Sequence, residues 1–367
     1  MRRLKRAGRG VLDAGAKAWS GTWRPYSRLI PLTDSPIWVL SEEMREITSL
    51  ARRLGVKIAH PRWQGLSRRQ ALFFASHFML LLGRDWPDPG HRVATAYFHG
   101  KPGTGVPEFD QAYARLRREH ERVHRVQASH SEMRDLILET GLTPDRVFLI
   151  PIGLNPDYFT WQTPESRRQA RQELGLPQTA VVVGSFQKDG SGWGEGMEPK
   201  LIKGPDVFLQ VMARLKPRIP ELFALLSGPA RGYVKAGLER LGIPYQHYYF
   251  RAYAEVWRLY QALDLYLVAS RQEGGPKAVL ESMASGAPLV TTRVGQAMDL
   301  VEHGVNAWMA ESEDVDGLAH WAEYAVSHPH GIAEILAQGR ATAQANTYAA
   351  QLPLWREFFR GFIDTVV

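Results

Sequence analysis

The chain has 367 residues, enough for two domains that each bury a core of their own. Charged residues make up 23% and hydrophobic residues 44%, an ordinary globular balance, and the lack of cysteine excludes disulfides, thiolate metal sites and a thiol nucleophile. The net charge of +7 is unevenly placed, which makes the N-terminal stretch the first feature to read.

Residues 1–28 carry Arg2, Arg3, Lys5, Arg6, Arg9, Lys17, Arg24 and Arg28 against one acid, Asp13, with Trp19 and Trp23 interleaved. Two readings stay open for this basic tail: peripheral contact with an anionic membrane surface, or a solubilising extension. No nucleic-acid motif follows it. No apolar run is long enough to span a bilayer and no secretion signal is evident, so a cytoplasmic location is expected, with the inner face of the membrane as an extension of it.

After the tail, residues 36–40 read as a first strand and residues 42–54 as a helix closed by Gly55, with Ser41 leading straight from one to the other. Short apolar runs follow at 56–59 and 71–82, the second as strand then helix. The next strand, 92–98, delivers His99, Gly100 and Lys101 at its C-terminal end, where a parallel α/β sheet has its ligand crevice. His99 either donates from a neutral imidazole to a ligand or satisfies a loop carbonyl. A charged helix spans 108–122, residues 123–128 form a buried strand, and Ser129 is placed to cap the helix after it. Residues 147–150 then run into PIGLNPDYF, a crossing whose proline and glycine supply a hinge, and a short helix over 165–174 follows.

The second half alternates more regularly. Strand patterns at 180–184, 222–227, 245–250, 264–269 and 288–292 are each followed by a helical pattern, which predicts a doubly wound parallel sheet. The first of its loops, GSFQKDGSGWGEGMEPKLIK from Gly184 to Lys203, is unusually long. Gly190, Gly192, Gly194 and Gly196 alternate and so do not form G-x-G-x-x-G; the loop reads as a mobile flap or as a disordered insertion.

The stretch from Ser270 to Gly286, SRQEGGPKAVLESMASG, reads as strand end, tight loop and helix, with Pro276 in the first turn and Gly286 just past the last. Ala278, Val279, Leu280, Met283 and Ala284 form its apolar stripe. A helix N-terminus at that point welcomes an anion. Glu273 lies in the loop and Glu281 two turns into the helix, and carboxylates accept from paired hydroxyls such as those of a ribose or a hexose. Taken alone, the pair also fits a solvent-facing Glu281 and a Glu273 that complements the helix dipole; the strand before it, the Gly-Gly-Pro within and AxxxGxPLVTT after it favour the binding reading.

The segment EGGPKAVLESMASGAPLVTTRVGQAMDLVEHGVNAWM resembles the donor-binding segment of the retaining glycosyltransferases of family 4, which carry a Glu-x7-Glu motif. The resemblance is specific over 181–310 and continuous back to Arg92. It implies the GT-B fold: two Rossmann-like domains facing each other across a cleft, with a C-terminal helix crossing back to the first. The expected boundaries are a tail over 1–30, an acceptor-side domain over 31–155 joined by 345–367, and a nucleotide-sugar-binding domain over 156–344.

The resemblance further implies a nucleoside diphosphate sugar as donor and a glycan, glycolipid or protein hydroxyl as acceptor. Glu281 then meets the ribose, and Glu273 with the Gly274 and Gly275 amides meets the sugar, with Pro276 and Lys277 beside them. Lys203-Gly204 is similar to the family's diphosphate-binding Lys-Gly. The family's arginine after Gly184 is replaced by Ser185, which leaves Lys188 to supply the second charge. His99 is the first domain's candidate for contact with the sugar, and Arg251 sits where relatives meet the nucleobase, ahead of Tyr253 and Glu255. Gln296, Ala297 and Met298 resemble a further donor-side loop.

Asp314-Val315-Asp316 has the D-x-D form of metal-dependent glycosyltransferases, but it opens a helix, where acids cap and complement the dipole. No metal and no cofactor are expected. The aromatic run 352–363 suits the crossing helix, with a membrane-facing or oligomeric use as the other reading. The function implied is hexosyl transfer with retention, in polysaccharide or glycolipid synthesis. The alternatives are a non-catalytic donor-binding scaffold, which the missing glycine-rich loop after the first strand motivates, and a GT-B epimerase or phosphorylase.

Overall fold

The computed structural model describes residues 25–33, 39–61, 69–250 and 252–366, which fall into two compact units. Most of the basic tail lies outside these residues. The first unit comprises the described residues up to Ala128, then Arg134–Ile150 and Leu352 onward; the second comprises Ser129–Met133 and Pro151–Gln351.

The first unit holds a parallel sheet of β1 (Arg28–Leu32), β2 (Lys57–Ile58), β3 (Ala71–Phe74), β4 (Arg92–Tyr97), β5 (Arg125–Ala128) and β6 (Val147–Leu149), in the order β2-β1-β3-β4-β5-β6. The first strand is therefore Arg28–Leu32, in place of the predicted 36–40. Its core-facing Leu29 and Ile30 are fully buried, whereas Val39 and Leu40 already belong to helix α1 (Val39–Arg53); residues 36–38 lie outside the described residues. The strand order turns around between β1 and β3, and helix α2 (His77–Leu81) leaves the C-terminal end of β3 at that point.

His77 is 2% exposed, stacked on Tyr97 with ring centroids 3.7 Å apart. Burial, with nearby His99, pushes its imidazole well below the ordinary histidine value. A base whose folded pKa is depressed stabilises the fold fully above about pH 6.5 and loses that contribution as the pH falls through this value. Melting should therefore weaken between pH 7.5 and 5.5, with His77 supplying at most about 1.4 kcal/mol per pH unit, and His77→Phe should show a shallower pH slope in calorimetry.

Helix α3 (Pro107–Glu119) and helix α4 (Ser131–Leu138) follow β4 and β5. The last helix of the chain, α13 (Leu352–Phe359), packs in this unit. Trp355, Phe358 and Phe359 are fully buried and Phe362 is 1% exposed; Phe73 meets Trp355 and Phe358 at 6.1 and 5.4 Å, and Phe148 meets Phe358 at 5.2 Å. The aromatic run thus serves the core, which corrects the membrane-facing reading. Among the described residues, no helix is long and apolar enough to cross a membrane.

The second unit contains β7 (Val181–Phe186), β8 (Leu222–Ser227), β9 (Tyr245–Tyr248), β10 (Leu265–Val268), β11 (Leu289–Thr292) and β12 (Trp308–Ala310), all parallel in the order β12-β11-β10-β7-β8-β9. Successive residues of each strand face opposite cores. Val182, Leu225, Tyr266 and Val268 join one cluster, and Val183, Ala224, Leu226 and Leu267 join the other. Burial on both faces is why β8 reads as an unbroken apolar run. Helices α5 (Pro164–Glu173), α6 (Pro205–Leu215), α7 (Gly232–Leu241), α8 (Trp257–Tyr260), α9 (Lys277–Ser285), α10 (Ala297–Leu300), α11 (Val315–Ser327) and α12 (Ala333–Ala345) complete the unit. The chain winds outward from β7 to β9, returns, and winds the other way from β10 to β12. The switch between β7 and β10 is where a doubly wound sheet opens a crevice.

Candidate anion and diol site at the sheet switch

The C-terminal ends of β7 and β10 feed this crevice. After β10, residues 270–276 form a loop and Pro276 stands at the residue before α9; Gly286 ends that helix in the left-handed conformation at φ 74°. The loop is held from several sides. Ser129 Oγ donates to the Gly274 carbonyl at 2.7 Å, the Gln296 amide donates to the same oxygen at 3.2 Å, and Ile152 N–H donates to Gln296 Oε1 at 2.8 Å. Ser129 is therefore a loop anchor, correcting its predicted role as a helix cap: the helix starts at Ser131, whose amide and hydroxyl bond Asp299. Gly275 lacks space for a side chain, since an added Cβ would lie 2.6 Å from Ile152 Cδ1.

Lys203 Nζ pairs with Glu273 Oε2 at 2.5 Å, and Ser270 Oγ donates to Glu273 Oε1 at 2.9 Å. The pair meets because the 3-10 turn Leu201–Lys203 is stitched to the loop: Arg271 and Gln272 amides both donate to the Ile202 carbonyl, at 2.9 and 3.0 Å. Arg271 adds a two-pronged bond to Asp206 at 2.8 and 2.7 Å, which raises the guanidinium pKa and holds the Asp206 carboxyl below its usual value. Gly204 sits at φ 60°, and an added Cβ would fall 1.8 Å from the Ala269 carbonyl oxygen. Lys203 can stand beside the end of β10 only because the next residue has no side chain.

Glu281 is 4% exposed, so the solvent-facing reading does not hold. Tyr253 donates to its Oε1, and Tyr260 donates to its Oε2 at 2.8 Å. Burial raises the carboxyl pKa, opposed by Lys277 and by the two hydroxyls; burial and then Glu281 raise Tyr260 in turn. Lys277 Nζ donates to Tyr348 Oη at 3.0 Å and lies 5.1 Å from the Tyr253 ring centroid.

The long loop before α6 is neither a free flap nor an irregular insertion. Gly190 and Pro199 form an antiparallel bridge, Ser191 N–H donates to the Glu198 carbonyl at 2.8 Å and Lys200 N–H to the Asp189 carbonyl at 2.7 Å, which makes a hairpin. The hairpin docks on the N-terminal end of α7, where Gly232 and Tyr233 amides donate to Glu195 and Gly196 carbonyls at 2.7 and 2.9 Å. Added Cβ atoms at Gly190 and Gly196 would lie 2.4 and 2.2 Å from the Ala230 carbonyl oxygen, so these glycines serve close backbone packing. Gly192 and Gly194 meet nothing and belong to the tip, with Trp193 70% exposed.

Arg231 holds the hairpin's stem. Its side chain is fully buried and pairs with Asp189 through Nε and Oδ1 at 3.0 Å. It also donates to the Ser185, Ser227 and Gln187 carbonyls at 2.6, 2.8 and 3.2 Å, and to Ser185 Oγ at 3.1 Å. Sequence reasoning did not single out Arg231 or Asp189. The one available signal was the paired presence of an arginine and an acid beside apolar strand ends.

The predicted residues separate accordingly. Lys203, Glu273, Gly274, Gly275 and Pro276 come together at the start of α9, with Lys277 and Glu281 along it. Lys188 lies at the hairpin's base, its Nζ 4.0 Å from the Trp193 ring centroid. Ser185 is 2% exposed with its hydroxyl held by Arg231, and Gly184 lies inside β7, where an added Cβ would lie 2.7 Å from Leu263 Cδ1. Arg251 lies outside the described residues. In the first unit, His99 is half-buried, edge-on to Phe78 and Phe109 at 5.5 and 5.7 Å. Asp314 Oδ1 accepts from Gly317 N–H at 2.8 Å and caps α11, while Asp316 pairs with Arg214 at 2.9 Å. Among the described residues, no group of three or more His, Asp or Glu side chains is placed to hold a metal.

Residues 198–340, which carry Lys203, Glu273 and Glu281, match the family described as glycosyl transferases group 1. The D-inositol 3-phosphate glycosyltransferase of Corynebacterium aurimucosum is 29% identical over an alignment covering 52% of this chain and 45% of that protein. The lipopolysaccharide core biosynthesis mannosyltransferase LpsB of Rhizobium meliloti is 29% identical over 40% of this chain and 41% of its own. The chain thus spans less than half the length of these curated relatives. Among solved structures, Anabaena HepE in complex with UDP-glucose aligns with a TM-score of 0.72 at 18% identity, covering 91% of this chain and 99% of that one. A glycosyltransferase from Rickettsia africae aligns with a TM-score of 0.69 at 15% identity, covering 94% and 99%. Over residues 198–340 the chain is similar to the group 1 glycosyl transferases, and its two Rossmann-like units have the fold found in solved glycosyltransferases.

Proposed function

We propose that the protein transfers a hexosyl group from a nucleoside diphosphate sugar to a hydroxyl acceptor in glycan or glycolipid synthesis, with retained anomeric configuration and without a metal. The observation that carries this reading is the Lys203–Glu273 pair in the loop before α9 with Glu281 buried about one turn into that helix, all at the sheet's switch point. Glu281 accepts from the ribose hydroxyls. Glu273 and the Gly274 and Gly275 amides hold the sugar, with Lys277 beside it.

The chemistry fits these residues. The bond between the anomeric carbon and the diphosphate oxygen breaks with both electrons leaving on the diphosphate, whose growing charge Lys203, Lys188 and the start of α9 stabilise. The acceptor oxygen attacks the same face, and its proton passes to the departing phosphate oxygen. No protein nucleophile is needed. His99 is assigned a role toward the sugar in this proposal, and Arg251 a role toward the nucleobase. The basic tail, residues 1–28, provides peripheral membrane contact where the acceptor is a glycolipid.

The reading is tested by supplying the donor that binds most tightly, with a panel of glycan and lipid-linked acceptors, and following the anomeric proton of the product by NMR. An unchanged anomeric configuration, a rate unaffected by a chelator and a large fall in turnover with His99→Ala are expected. Inversion, or loss of activity on chelation, contradicts it. Donor isomerised with no acceptor consumed identifies an epimerase.

A further inference from the structure

Both oxygens of the Glu281 carboxylate are occupied, one by the Tyr253 hydroxyl and one by the Tyr260 hydroxyl, and the residue is 4% exposed. A ribose diol needs at least one of them. The two tyrosines are held very differently. Tyr260 is fully buried, its ring wedged against Phe159, Phe186 and Tyr266 at centroid distances of 5.7, 5.0 and 5.3 Å, and it lies in helix α8. Tyr253 is half-buried, sits in the 3-10 turn Tyr253–Glu255, and meets Phe159 only at 6.3 Å. Tyr253 packs on the edge of the core cluster of which Tyr260 is a fully buried member, so turning Tyr253 away disturbs less of the core than moving Tyr260 does.

On the reading that Glu281 binds the ribose, we propose that Tyr253 is a placeholder: its hydroxyl occupies the carboxylate oxygen that the donor's ribose takes, and donor binding exchanges a tyrosine O–H for a ribose O–H while Tyr260 stays in place. The exchange has a physical rationale. A buried carboxylate left without a donor is costly, so an internal hydroxyl keeps Glu281 satisfied before any ligand arrives. The same contact competes with the ribose, and apparent affinity is reduced by the fraction of molecules in which it is made. Tyr253 also lies 5.1 Å from Lys277 Nζ, so its departure uncovers that ammonium as the donor arrives. Tyr253 is thus a specificity-determining residue for ligands that carry a ribose diol.

The test is calorimetric titration of UDP, GDP and ADP into wild type, Tyr253→Phe and Tyr260→Phe, each checked by thermal melting. Tyr253→Phe should bind the preferred diphosphate about 10-fold tighter, the equivalent of one competing bond to a charged group, and Tyr260→Phe should bind it more weakly. With the 2′,3′-dideoxy form of that nucleotide, wild type and Tyr253→Phe should bind alike. Equal or weaker binding of the ribonucleotide by Tyr253→Phe overturns the proposal, as does a gain that persists with the dideoxy form. Tyr253→Leu, which also lacks the hydroxyl, gives the same readout should the phenylalanine variant fold poorly. If neither these three diphosphates nor dTDP binds wild type or Tyr253→Phe, the donor-site reading falls and the placeholder with it; if wild type binds and the variant gains nothing, only the placeholder falls.

Discussion

Arg231→Met is expected to destabilise the protein by about 3–5 kcal/mol, because removing one partner of a buried ion pair leaves the other charge uncompensated. The Arg231 side chain is fully buried and that of Asp189 is 1% exposed. Methionine restores volume but none of the bonds to the Ser185, Gln187 and Ser227 carbonyls. The cost should vary with pH in a defined direction. Burial already pushes the Asp189 carboxyl up, and Arg231 is among the groups that oppose this. Without the guanidinium its folded pKa rises further above the unfolded value, so stability is kept at low pH and lost as the pH rises through the folded pKa. Chemical denaturation should show a smaller deficit near pH 5 than near pH 8, and Asp189→Asn combined with Arg231→Met should recover part of the loss. Equal deficits at both pH values, with no recovery in the double variant, would remove the ion pair from the explanation.

Lys203→Ala is expected to lower kcat by about 10²–10³-fold, the usual cost of removing one preorganised group that stabilises a developing anion. The pair with Glu273 is only partly exposed, at 22% and 12% for the two side chains, so the ammonium acts in a site with limited solvent screening. If the lysine stabilises charge that grows during the reaction, the loss appears mainly in kcat; a ground-state contact would move KM instead. A deficit confined to KM would make Lys203 a binding residue only. Glu273→Gln serves as the companion variant, since it keeps an acceptor for Ser270 Oγ and a neutral partner for the lysine.

The second unit was largely legible from its sequence because its strands are buried on both faces, and unbroken apolar runs such as that of β8 are hard to mistake. Strand β12 escaped because Trp308–Ala310 is three residues long, too short to show a period. The first strand of the first unit was misplaced because proline and polar residues interrupt the stretch around it, and its identity rests on pairing with β3, a contact invisible to local pattern. The start of α9 was readable because strand, Gly-Gly-Pro and helix follow in one segment. The hairpin over 187–200 was not, because its glycines serve a close approach to Ala230 from a distant part of the chain. Tyr260 and Arg231 were missed for the same reason: each acts on a residue tens of positions away, and neither type announces a bond to a carboxylate. Glu281 illustrates the limit from the other side. Its identity and spacing pointed to a ligand, but only burial and two tyrosine donors show why a carboxylate is stable there without one.

The most direct measurement is calorimetric titration of UDP, GDP, ADP and dTDP sugars, without added metal, into wild type and Glu281→Ala. One donor should bind wild type, and Glu281→Ala should weaken it about 10-fold or more, the loss of a ribose hydrogen bond to a charged acceptor. Binding of no donor to the folded protein, or binding that Glu281→Ala leaves intact, would contradict the assignment of this site to a nucleotide sugar.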